Sequence, residues 1–171
     1  MTKSFKSFKK DRKGFTLVEM IVVLVILAIL AAILVPALLG YIDDAKQKQY
    51  VLHAKSAYTA AQSVASEMYG VDAKIGADTL AKDKDYGIRI ADIADLDEFT
   101  GCTKVVIGFT KNYPDDGKFT SNKDKHEAYT VNYVEYTEDG TTMYLINNEW
   151  TSTAPATAYA NTTYTVYEAT P

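Results

Sequence analysis

Glu19 is the one acidic or basic residue between Gly14 and Ile42, in the run GFTLVEMIVVLVILAILAAILVPALLGYI. A carboxylate in hydrocarbon is unfavourable, so an acid retained there has a use, and that use is electrostatic: it neutralises a cation or accepts hydrogen bonds in a dry setting. Other chemistry is scarce. His53 and His126 are the only histidines and Cys102 is the only cysteine, which excludes an intramolecular disulfide and argues against a Cys/His zinc site. No glycine-rich phosphate loop and no G-x-S-x-G nucleophile motif occurs. Asp92, Asp95, Asp97 and Glu98 offer hard oxygen ligands of the kind Ca²⁺ takes, but without EF-hand spacing; such a run reads first as a solvated face. The chain is expected to be no enzyme and to carry no cofactor and no metal.

The elements that position Glu19 follow from charge and hydropathy. Residues 1–14 carry Lys3, Lys6, Lys9, Lys10, Arg12 and Lys13 against Asp11, a net of +5, while the rest carries 12 basic and 21 acidic residues, a net of −9. An acidic majority does not favour binding to nucleic acid phosphates, and no specific nucleic acid partner is predicted. Lys and Arg grouped at one end of a membrane segment stay cytoplasmic, which puts the N-terminus inside and residues from about Asp43 onward outside. Met20 to Ile42 is uncharged over 23 residues. As a helix it spans about 34 Å, enough for a hydrocarbon core of ~30 Å. A secretory signal has a shorter apolar region, about 7–15 residues, followed by a small-residue cleavage site. Here Gly40-Tyr41-Ile42-Asp43-Asp44 follows, so the segment reads as retained.

The helical pattern continues past the apolar run. Tyr50, Ala54, Ala57, Ala61, Val64 and Met68 recur at steps of three and four, one apolar stripe that needs a partner, and Gly70 is a candidate C-cap. His53 reads as a surface residue on that half. Pro36 lacks the N–H for an i−4 bond, at a cost of about 3 kcal/mol mid-helix, and Gly40 costs about 1 kcal/mol relative to Ala. Together they predict a kink or local melting over 32–40. Ala28 and Ala32 have the small-xxx-small spacing that lets apolar helices approach closely.

Beyond residue 70 the reading is mostly β. Strands are predicted at Lys104–Thr110, Ala128–Thr137, Thr141–Asn147 and Thr162–Tyr167, with Glu138-Asp139-Gly140 as a hairpin turn. Segments 71–102 and 111–127 read as irregular, apart from a short helix over Ile88 to Phe99. The fold class is α+β: a long N-terminal helix, half membrane-spanning and half amphipathic, packed on a three- to four-stranded antiparallel sheet. The divisions are 1–14, a basic leader; 15–42, an apolar helix; 43–70, an amphipathic helix half; and 71–171, a β-rich head.

Lys13-Gly14-Phe15-Thr16-Leu17-Val18-Glu19, with its basic leader and long apolar helix, resembles the processing site of type IV prepilins. The resemblance covers about Lys9 to Ala61. It implies cutting after Gly14 by a prepilin peptidase, N-methylation of Phe15, and a role for Glu19 in assembly through inner-membrane machinery. It further implies a membrane precursor that becomes a homopolymer at the cell surface, serving adhesion, motility, aggregation or DNA uptake. Pro36 and Gly40 fall where family members perturb the helix. Cutting would leave an α-amine on Phe15, ordinarily titrating near ~7.7–8.0, for which Glu19 is a counter-charge. A pair between neighbouring chains would set axial register; a pair within one chain, four residues apart, competes with it. The cysteine pair that staples the head in many members cannot form with Cys102 alone. Two other readings stand beside this one: a pseudopilin of protein secretion or competence, and an uncut single-pass anchor carrying a binding head.

Overall fold

The computed structural model describes residues 14–97, 101–146, 148–155 and 163–169. It divides into two compact units, Met1–Ala45 and Lys46–Pro171. One helix, α1 (Leu17–Gly70, 54 residues), contributes to both.

In the first unit α1 is long and apolar enough to cross a membrane, and its leucines, isoleucines and valines are exposed along the span. The helix is continuous through Pro36 and Gly40, so the melting expected over 32–40 is not present in the isolated chain. A helix that has already lost one hydrogen bond to proline can keep its remaining i−4 bonds on either side.

The second unit is α+β. Tyr50, Ala54, Ala57, Ala60, Ala61, Val64, Ala65 and Met68 of α1 are buried, which includes every residue of the predicted stripe. Five of the eight are alanines, and small side chains let a helix backbone come close to a sheet. After α1 come α2 (Ala77–Leu80), α3 (Asp85–Ile93), β1 (Cys102–Phe109), α4 (Asn122–Ala128), β2 (Val131–Glu138), β3 (Thr141–Ile146), β4 (Glu149–Thr151) and β5 (Thr163–Glu168). The strands form one antiparallel sheet in the order β4-β3-β2-β1-β5. Val105, Ile107, Phe109, Val134, Tyr136, Met143, Leu145 and Val166 share the core with the α1 stripe.

Among the described residues the sheet therefore has five strands where three to four were expected. The extra strand, β4, is three residues long, too short to show a period-two pattern, and is paired only with β3. The strand predicted from Ala128 begins at Val131, because the polar stretch before it forms α4. Ser121 caps that helix, accepting from the Asp124 N–H at 3.1 Å. The helix predicted over Ile88 to Phe99 is shifted earlier, to Asp85–Ile93, and positions 98–100 lie outside the described residues. The β2–β3 hairpin turns at Asp139 and Gly140, both with positive φ (48° and 76°), the left-handed pair that a two-residue turn requires.

Candidate processing and assembly site

The junction singled out by the sequence lies at the start of α1. Gly14 and Phe15 precede the helix and are exposed. A Cβ built on Gly14 would meet no atom within 4 Å, so packing within the chain does not require glycine there. Phe15 has no apolar neighbour that buries it, at 82 % exposure.

Glu19 is tied to Thr16. The Thr16 N–H donates to Glu19 Oε2 at 2.8 Å and the Thr16 hydroxyl donates to the same oxygen at 2.7 Å. In return the Glu19 N–H donates to Thr16 Oγ1 at 3.2 Å. This is a reciprocal capping box, in which two N–H groups that the first turn leaves without partners are satisfied by side chains. A carboxylate in the first turn is also favoured by the positive end of the helix dipole. Thr16 was missed in the sequence reading, although a Thr followed three residues later by Glu, before an apolar run, is the written form of this motif. The arrangement holds the Glu19 side chain back toward the N-terminus, on the side of Phe15, while the chain is alone.

Pro36 and Gly40 lie further along α1, and a Cβ on Gly40 would meet nothing within 4 Å. The alanines of this half are exposed, as are the larger apolar side chains.

The second unit holds a different polar cluster. Glu138 is 3 % exposed. The Tyr136 hydroxyl donates to its Oε2 at 2.7 Å, and His53 Nδ1 lies 2.7 Å from the same oxygen. His53, expected at the surface, is thus half-buried and bound across 85 residues of chain to the sheet. Beside it the Tyr50 hydroxyl donates to Asp139 Oδ2 at 3.3 Å. Burial, with the Glu138 charge nearby, pushes the Cys102 thiol up to about 11, so Cys102 is an inert buried hydrophobe rather than a nucleophile. These groups close on one another and fasten α1 to β2. Among the described residues no group of three His, Cys, Asp or Glu side chains is placed to hold a metal ion. A surface groove of about 320 Å³ between α2 and β5 contains Lys82 and Glu168, which bond each other at 2.9 Å.

Residues 9–35 match the family described as prokaryotic N-terminal methylation motif. The chain carries this prepilin-type signature, that of type IV pilin-like and pseudopilin precursors, and the matched residues contain the whole junction from Lys13 to Glu19. The proteins that bear it are structural subunits, and the apolar helix next to it is consistent with a membrane-anchored precursor. Comparison with curated proteins returns no match, and neither does comparison with solved structures.

Proposed function

We propose that this chain is a structural subunit of a type IV pilus-like surface filament. It is made as a membrane precursor, cut between Gly14 and Phe15, methylated at the Phe15 amine and polymerised through the apolar half of α1. The observation that carries this reading is a coincidence of position. The matched motif ends inside a helix whose apolar side chains find no cover in the single chain. Lipid covers them before assembly, and other copies of the same helix cover them afterwards.

Two local facts support the role of each residue. The glycine at position 14 answers to no steric need of the chain itself, which suits recognition by a peptidase. Glu19 sits one turn from the future amine, on a cap that the amine can replace. Once Phe15 is an N-terminal cation in a low-dielectric bundle, Glu19 neutralises it, either in its own chain or in a neighbour. Pro36 and Gly40 give the apolar half a weak point that loosens when the helix exchanges lipid for helices.

The test is the mass of the protein recovered from cells that carry assembly machinery. Loss of residues 1–14 with one added methyl supports the reading; an intact N-terminus overturns it in favour of an anchored binding protein. Surface fibres recovered by shearing separate a pilus from a pseudopilin, whose short filament stays in the periplasm. Glu19→Ala is expected to be cut and inserted normally yet to yield no filaments, and normal fibres from it would remove the assembly role. Gly14→Arg is expected to stay uncut.

A further inference from the structure

We propose that two exposed patches of the second unit form a head-to-tail contact between copies of this chain. The inference rests on the filament reading above and specifies which surfaces meet outside the apolar core.

The first patch lies on α1. Leu52 is 64 % exposed, and Lys48 and Lys55 flank it four residues before and three after, so the three form one ridge. The second patch lies on α3. Ile88 is 45 % exposed, and Asp85 and Asp92 flank it three residues before and four after on the same helix face, also exposed. Among the described residues, none of these four charged side chains forms an ion pair. The cation on α3 itself, Arg89, is taken by Glu67 through two hydrogen bonds of 2.6 Å, which leaves the α3 face acidic. One patch is thus apolar with a basic rim and the other apolar with an acidic rim.

The two cannot meet within one copy. The Arg89–Glu67 pair fixes α3 beside the last turns of α1. Fifteen residues of helix separate Glu67 from Leu52, about 22 Å along the axis. Joining the patches between copies therefore displaces one copy along α1 by roughly that distance. A contact that uses two different patches is heterologous, and where its rotation does not close it builds an open filament. Complementary charge sets register and excludes wrong pairings, while Leu52 and Ile88 supply the buried centre.

The test uses the full-length chain with Cys102→Ala, in cells that assemble it. Leu52→Cys and Ile88→Cys are introduced together, and sheared filaments are treated with a short bis-maleimide. A ladder of dimers, trimers and longer species is expected from the double variant and none from either single variant. Charge reversal gives the second readout. Lys48→Glu with Lys55→Glu is expected to lower filament yield about tenfold through like-charge repulsion, and Asp92→Lys added to it restores most of that loss. If the wild-type chain forms filaments but the cysteine pair gives no ladder and the charge reversal no rescue, this contact is overturned and the filament reading stands. Cross-linking to a protein of different mass overturns it too. A wild-type chain that forms no filament overturns both.

Discussion

At the scale of single residues, two acids show how placement decides use. Glu19 caps its own helix through Thr16, at an exposed end where a new cation can compete for it. Glu138 is sealed in the core, where His53 and the Tyr136 hydroxyl share one of its oxygens. Replacing Glu138 by Leu leaves that buried hydroxyl with only the Cys102 thiol, a weak partner, and a poorly satisfied buried donor costs about 1–3 kcal/mol. Glu138→Leu should therefore lower stability by that amount, and Tyr136→Phe added to it should recover part of the loss. Thermal unfolding of the detergent-solubilised chain measures both; equal stability of the single and double variants would show that the hydroxyl is not the source. A third acid carries a pH signature. The Lys111 ammonium, and then the Thr120 hydroxyl, hold the Asp124 carboxyl down at about 2, below its ordinary value. A depressed folded pKa stabilises the fold above the ordinary value and loses that contribution as pH falls toward the folded one. Asp124→Asn should thus flatten the acid limb of the stability curve between about pH 4 and 2. An unchanged limb would mean that another carboxylate governs it.

At the scale of elements, what was legible in the sequence was what is encoded locally. The stripe from Tyr50 to Met68 could be read because helical burial repeats every three to four residues, and each residue named from it is buried. The β2–β3 hairpin could be read because Asp-Gly dictates a turn. α2 and β4 were not legible: four residues make barely one helical turn and three barely one strand alternation, too few for a periodic pattern to repeat. Nor was the partnership of His53, since its acceptor lies 85 residues away and only the packing of α1 on β2 brings them together. In the candidate site the junction and Glu19 were legible, whereas the capping role of Thr16 was written in the sequence and passed over. α3 offers a test of element packing. A Cβ on Gly87 would stand 2.1 Å from the Ala81 carbonyl oxygen and 2.7 Å from that of Leu80, both backbone atoms just after or at the end of α2. Neither can move without shifting α2, so Gly87→Ala should cost about 1–3 kcal/mol through overpacking. Hydrogen exchange localised to α2 and α3 would check it, and wild-type protection there would count against it.

At the scale of the molecule, the chain joins two units with opposite solvent needs. In the first, exposed leucine, isoleucine and valine run along α1 without a polar face. In the second, α1 has a buried stripe and a polar remainder, and the sheet supplies the other side of a core that includes Ile90, Leu96 and Val166. Burial of that core does not draw on residues before Tyr50. The hydrophobic effect then predicts two behaviours from one polypeptide. Residues 46–171 expressed alone should be soluble without detergent and should unfold in one cooperative transition, since their core is complete. The full chain in the same buffer should aggregate or need an amphiphile, because none of its described residues covers the apolar half of α1. Sedimentation of the two proteins with and without detergent makes the comparison. If the shorter chain proved unfolded, the division of the molecule at residue 45 would be structural only and the apolar half would be required for folding. If the full chain proved soluble and monomeric without detergent, its apolar surface would have found cover within itself, and the argument that other copies supply that cover would lose its basis.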